Sequence, residues 1–233
     1  YHRFTKSKGY QWEDIRDAFL QLCYDGVSFV TIHFTADLDL FSRANQIRKI
    51  PVTSRGGGMV LYDSRINNRT QNIFRENIDE IANIALKHNV VISLGTTFRP
   101  GTILDACDSV HIEETLRQLS ICRLLQSKGV KVMVENIGHI TLDKIATHSK
   151  LLSKFNAPIM PLGPLPTDAA INEDHIANAI GASFAAHVGC AHIINCVTRY
   201  EHSKSAITQD VTIEAIRAAK VAAHIANLSR NIN

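Results

Sequence analysis

The feature that most restricts how this chain can fold is an alternation. Stretches with apolar residues at helical spacing hand over repeatedly to short runs of β-branched and aromatic residues, and each run ends in a cluster of polar groups. Trp12 to Tyr24 places Ile15, Phe19, Leu22 and Cys23 on one helical face, with Glu13 and Asp14 early, where a helix dipole favours acids. After Asp25-Gly26, the run Val27 to Phe34 reads as a buried strand. A polar loop leads to a helix over Arg69 to His88 and a strand over Val90 to Leu94. The unit recurs as helix His111 to Ser127 and strand Val130 to Val134, then helix Thr141 to Phe155 and strand Ala157 to Leu162. Helix Asp174 to Val188, strand Ala191 to Val197 and a last helix over Val211 to Leu228 complete the pattern.

Five strands alternating with helices imply parallel pairing, because each crossover helix returns the chain to the same end of the sheet. The class is α/β. A closed barrel and an open doubly wound sheet both satisfy the pattern, and the absence of a GxGxxG after any strand weakens the dinucleotide-binding form of the open sheet. A complete barrel takes roughly 250 residues. About five βα units are visible, so residues 1–233 are expected to form a single domain, an incomplete (βα)8 TIM-type barrel representing its C-terminal portion. The chain opens without Met in a polar stretch, Tyr1 to Tyr10, which leaves open that it is a piece of a longer protein.

Composition excludes several classes of function. With 45% hydrophobic and 20% charged residues over 233 positions, the chain can build a sizeable core. Its formal charge is +3, and the basic residues are scattered, so no nucleic-acid surface is indicated. No apolar run approaches the roughly 18 residues of a membrane span, and no secretory signal is visible, which predicts a soluble cytoplasmic protein. The five cysteines are odd in number, widely spaced and without a CxxC pair, which suits reduced core thiols.

In a parallel barrel the loops that follow the strands converge on one mouth. Here those loops carry His33, Thr96 to Arg99, Glu135 to His139, Gly163 to Asp168 and Thr198 to His202. Ser54-Arg55-Gly56-Gly57-Gly58 reads either as an anion cradle, its glycines letting backbone N–H groups approach while Arg55 supplies charge, or as a flexible turn with an exposed Arg. His139 and His202 can supply two imidazoles to a divalent metal, Zn or Fe, with Glu135 nearby as a third ligand or an orienting partner. The spacing is no closed motif, and among eleven histidines a chance pair is equally available. His88, His111, His148, His187 and His224 fall on or beside helices and read as surface or packing residues. Asp174 reads as an acid at a helix start, and Asp168 stands out in its loop directly above a strand. No GxSxG elbow and no evident Cys–His pair support nucleophilic catalysis.

Taken in order, Thr31-Ile-His33, Ser54-Arg-Gly-Gly57, Leu94-Gly95, Arg99-Pro-Gly101, Val134-Glu135 and Gly138-His139 form a series. Leu162-Gly-Pro-Leu165, Thr167-Asp168, Asp174-His-Ile176, Gly181-Ala182, Gly189-Cys-Ala191, Val197-Thr198, Glu201-His202 and Ala222-Ala-His224 continue it. The series resembles the phosphomethylpyrimidine synthase (ThiC) family of radical S-adenosylmethionine enzymes in thiamine biosynthesis. The resemblance implies a (βα)8 barrel that rearranges 5-aminoimidazole ribotide into hydroxymethylpyrimidine phosphate with S-adenosylmethionine and a [4Fe-4S] cluster. It further implies that His33, Ser54, Arg55, Gly56, Arg99 and Glu135 hold the ribotide, Glu135 being the catalytic candidate, and that His139 and His202 ligate a metal.

The chain departs from the family pattern at several points. The family's Gly-Asp-Gly-Leu-Arg-Pro-Gly stands as Gly95-Thr-Thr-Phe-Arg-Pro-Gly101, Gly-Pro-Gly-His as Asn136-Ile-Gly-His139, and an aromatic position as Met160. The family's CxxCxxxxC cluster motif is absent from this sequence. The chain is therefore expected to be part of a full enzyme or a diverged paralogue. The alternatives are a 5-hydroxybenzimidazole synthase acting on the same ribotide, a non-catalytic ribotide-binding paralogue, and a metal-dependent barrel lyase or hydrolase. An incomplete barrel exposes strand edges, which predicts a homodimer.

Overall fold

The structure, a computed structural model, describes residues 9–203 and 205–230. Helix α1 spans Trp12–Tyr24, as its periodicity predicts, burying Phe19 and Cys23. Gly26, at φ +81°, takes the left-handed turn that ends it. Strand β1 is Phe29–Ile32 and β2 is Val91–Leu94. They pair in parallel with Ile32 opposite Leu94. Strand β3, Val132–Asn136, pairs in parallel with β2, and β4 is Ile159–Pro161. The four form one sheet in the order β1-β2-β3-β4, so the class is α/β with parallel strands, as the alternation predicts.

The structure departs from three expectations. The segment Ala191 to Val197 is not a strand. His192 and Ile193 both donate to the Ile159 carbonyl, and the Asn195 side-chain amide donates to the Pro161 carbonyl, which replaces a regular ladder. The polar loop after β1 contains two helices, α2 (Leu38–Ile47) and α3 (Arg55–Ile66). Three glycines and many polar residues hide their periodicity. The helix expected over Arg69 to His88 is two, α4 (Ile73–Glu76) and α5 (Ile78–His88), separated at Asn77. Helices α6 (Ser109–Ser127), α7 (Leu142–Leu152), α8 (Asp174–His187) and α9 (Gln209–Ser229) match their predicted positions to within a few residues.

The chain divides into two compact units. One takes the residues up to Phe98 together with Ile112–Val134. Its core includes Phe34, Leu40, Ile81, Ile92, Leu94, Phe98 and Leu125. Within it the buried face of α6 carries Glu114, Thr115 and Gln118 beside Leu119, Cys122 and Leu125. The second unit takes Arg99–His111 and the residues from Glu135 onward. There α8 packs on α9 through small residues, Ala177, Gly181, Ala182 and Ala185 on the first and Ala215, Ala219, Ala222 and Ala226 on the second. No described helix is long and apolar enough to cross a membrane.

Candidate functional site

His33 follows the last residue of β1 and is buried. Its ring occupies space that Gly95 leaves open, since a Cβ there would stand 2.8 Å from His33 Cε1. His33 Nε2 lies 3.1 Å from Ser54 Oγ, and Nδ1 lies 3.2 Å from Thr97 Oγ1. Ser54 Oγ also accepts from the Gly57 N–H at 3.1 Å, capping α3. Either imidazole tautomer satisfies these contacts, since each hydroxyl can donate to or accept from its ring nitrogen while Ser54 Oγ keeps a lone pair for the Gly57 N–H.

The glycine run thus lies inside a helix. Exposed Arg55 and half-buried Gly56 are the first two residues of α3, where N–H groups have no carbonyl partner in the helix and the dipole attracts anions. Gly57 is required because a Cβ there would collide with the Thr97 side chain. Behind this group sits Glu114. Its Oε1 accepts from the Thr35 hydroxyl at 2.7 Å and the Thr97 N–H at 2.6 Å, and its Oε2 accepts from the Phe98 N–H at 2.8 Å. Burial pushes its carboxyl up to about 7 despite these donors. His33, Ser54, Arg55 and Gly56 therefore share one unit, whereas half-buried Arg99 and buried Glu135 belong to the other.

In the second unit the Arg-Pro-Gly and Gly-His motifs meet. The His139 N–H donates to the Pro100 carbonyl at 3.0 Å, and Gly138, at φ +128°, lets that carbonyl approach. His139 and His202 come together, with Nε2 atoms 3.1 Å apart and ring centroids 4.7 Å apart. Each turns its Nδ1 to a carboxylate, His139 to Asp168 at 2.7 Å and His202 to Asp174 at 3.0 Å. Asp174 also accepts from the His202 N–H at 3.3 Å, so its role exceeds that of a helix-start acid. Burial holds His139 below the ordinary imidazole range, against the pull of Asp168. Burial alone would raise Asp168, but hydrogen bonds from His139 and the Ile103 N–H hold it below its ordinary range.

Carboxylates on both Nδ1 atoms fix the Nδ1–H tautomers and point two Nε2 lone pairs at each other, an arrangement that needs a proton or a cation between them. A separation of 3.1 Å lets both nitrogens reach one ion at about 2.0–2.1 Å. The donor set fits a divalent metal. The orienting partners are Asp168 and Asp174, and the sequence signal for them was an acid in the loop that follows β4 and an acid opening α8.

An iron–sulfur cluster does not fit the residues of this chain. Cys23 and Cys122 are buried in the first unit, Cys107, Cys190 and Cys196 lie in the second, and no CxxC spacing joins any of them. His111 and His148, read from sequence as surface or packing residues, are both buried, with rings stacked 4.3 Å apart.

The chain is similar over most of its length to proteins named phosphomethylpyrimidine synthase. That of Thermotoga petrophila is 35% identical over 220 residues, covering 94% of this chain and 51% of the relative. That of Desulfitobacterium hafniense is 38% identical over 213 residues, covering 90% and 49%. That of Sulfurisphaera tokodaii is 38% identical over 219 residues, covering 93% and 50%. The chain spans about half the length of these relatives. The sequence pattern that defines the radical SAM ThiC family matches residues 2–233, and radical SAM chemistry implies S-adenosylmethionine and an iron–sulfur cluster for the family. The chain belongs to the radical SAM ThiC family.

Proposed function

We propose that this chain carries the ribotide-binding and metal-binding part of a phosphomethylpyrimidine synthase, the C-terminal portion of a (βα)8 barrel. The observation that supports it best is the pair His139 and His202, with facing Nε2 atoms and a carboxylate behind each ring. The relatives' name gives the product, a phosphomethylpyrimidine, and in this reading it is made by rearranging 5-aminoimidazole ribotide into hydroxymethylpyrimidine phosphate.

In this reading the phosphate sits at the start of α3, held by the Ser54 hydroxyl, the first-turn N–H groups at Arg55 and Gly56, and the Arg55 guanidinium. His33, Arg99 and Glu135 bind the rest of the ribotide, with Glu135 as the catalytic candidate. His139 and His202 hold a divalent ion, which supplies a Lewis-acid anchor when bound. In this reading the cluster and its reductive chemistry come from residues outside this sequence. The protein works as a cytoplasmic homodimer.

A sister reaction on the same ribotide, 5-hydroxybenzimidazole synthesis, is favoured by one feature. Thr96 stands where the family pattern has a carboxylate, and it is buried with Gln118 Nε2 3.4 Å from its Oγ1.

Calorimetric titration of the purified chain with 5-aminoimidazole ribotide tests the binding reading. Saturable binding that is lost in both Arg55→Ala and Glu135→Ala supports it. A folded wild-type chain that takes no ribotide sinks it. Product analysis of the protein joined to its cluster-bearing segment separates the two reactions and the non-catalytic alternative.

A further inference from the structure

The geometry points to a second metal site in this chain, formed by Cys107, His111 and His148 and suited to zinc or another borderline-soft divalent ion. One ligand atom from each residue lies within 4.8 Å of the other two. His111 and His148 are 0% and 2% exposed, while Cys107 is half-buried and gives the cluster its access to solvent. All three lie in the second unit, on the segment before α6, the first turn of α6 and α7.

The proton arrangement is set by Asn136. Its Oδ1 accepts from the Ile137 N–H at 2.6 Å, which fixes that atom as the oxygen. His148 Nε2 and His111 Nε2 reach the same oxygen at 3.0 and 3.4 Å, so both rings carry their proton on Nε2. Both Nδ1 atoms therefore present lone pairs. That of His111 accepts from the Cys107 N–H at 3.2 Å, which draws Cys107 against the ring, and a metal at this nitrogen displaces that hydrogen bond, leaving the N–H of half-buried Cys107 to water. That of His148 is buried and has no hydrogen-bond partner, an acceptor taken from water with nothing in return. A cation bound at that nitrogen would satisfy it.

The ligand types fit one class of ion. Two neutral imidazoles and a thiolate suit zinc, cobalt or copper rather than magnesium or calcium, and three protein ligands leave a fourth position for water on the Cys107 side. Burial holds the His148 ring near a pKa of about 4, so its lone pair is available at neutral pH. Burial raises the Cys107 thiol, while Lys144, which donates to the Ile103 and Ala106 carbonyls, opposes that rise. Binding breaks the S–H bond, forms the metal–sulfur bond and releases one proton to solvent. Cys107 has φ +62°, a left-handed conformation that costs a non-glycine residue and directs its side chain in this loop. The site uses none of the residues of the His139 and His202 pair, and it ties α7 to the start of α6 and the segment before it.

The test uses the purified full chain, stripped of metal with a chelator and titrated with cobalt(II), in a His202→Ala background that removes the first site. The expected result is one equivalent bound, with a sulfur-to-cobalt charge-transfer band in the near ultraviolet that zinc(II) abolishes by displacement. Cys107→Asn in that background tolerates the positive φ, so it should stay folded by circular dichroism and lose the band entirely. His148→Ala should lower zinc affinity by at least tenfold, and Cys107→Asn decides the matter if that variant does not fold. A folded His202→Ala chain with no sulfur-to-cobalt band overturns the proposal. So does a band that persists in Cys107→Asn, since the thiolate would then belong to another cysteine.

Discussion

Asp168 joins two segments through one carboxylate, its Oδ1 2.7 Å from His139 Nδ1 and its Oδ2 accepting from the Ile103 N–H at 2.9 Å. The first contact fixes the His139 tautomer and the second fixes the carboxylate. Because orienting partners of this kind typically contribute about 10–100-fold to metal affinity, Asp168→Ala should weaken zinc binding at His139 and His202 by that factor. Competition titration against a chromophoric chelator in a Cys107→Asn background reads this site alone. Unchanged affinity would show that Asp168 serves the loop and not the metal.

The start of α3 offers a contrast between capping and packing. Ser54→Ala removes the cap on the Gly57 N–H and the contact to His33, and should cost about 0.5–2 kcal/mol. Gly57→Ala drives a methyl into Thr97, and overpacking of that kind costs about 1–3 kcal/mol. Exposed Arg55→Ala should shift the denaturation midpoint little while weakening inorganic phosphate binding. Urea melts with a phosphate titration of each variant separate the effects. Equal phosphate affinity in Arg55→Ala and wild type would remove the anion role of this helix start.

Glu114 predicts an unusual pH dependence. Its carboxyl sits near 7 in the folded chain and near 4.5 when unfolded, so between those values the folded state binds more protons. Stability from this group is fully present below about pH 4.5 and is lost as pH rises through about 7. Glu114→Gln removes the titration, and its amide must face the Phe98 N–H or the Thr35 and Thr97 donors. Near pH 5 the variant should be less stable by about 1–3 kcal/mol, the cost of a mispaired buried donor. Its deficit should then shrink by up to about 3 kcal/mol by pH 8, as burial penalises the wild-type carboxylate. Paired urea melts across that range check it, and a deficit constant with pH would mean that Glu114 stays ionised throughout.

Strands and long helices were legible because their signals are local. Helix α1 follows directly from Ile15, Phe19 and Cys23, and β2 from Val91 to Leu94. Helix α3 was not, since its stability rests on the Ser54 cap and on the Gly57 approach to Thr97, a residue far along the chain. The expected fifth strand has the right residue types, yet its partners at Ile159 and Pro161 receive side-chain and irregular backbone bonds. For the facing imidazoles, the positions of His139 and His202 in loops after strands named the rings but not their partners, because Asp168 and Asp174 reach them only in the folded chain. Cys107 and His111 are four residues apart at a helix start, a weak signal that only the buried His148 completes.

Gly181 ties the packing of α8 to the His139 and His202 pair. A Cβ on it would collide with the Pro164 carbonyl, and a backbone oxygen cannot rotate away as a side chain can. Pro164 lies in the loop that runs from β4 to Asp168, so relief of the clash must displace the segment that carries the His139 partner. Gly181→Ala should therefore destabilise the chain by about 1–3 kcal/mol and weaken zinc binding at His139 and His202 together. Gly26→Ala is the control. Nothing lies near its Cβ position, so the cost comes from φ +81° alone, about 1 kcal/mol, and metal affinity should not change. Thermal melts and zinc titrations of both variants distinguish a local packing penalty from a displaced ligand shell. If Gly181→Ala lost stability yet bound zinc as wild type does, the loop would have absorbed the clash before reaching Asp168.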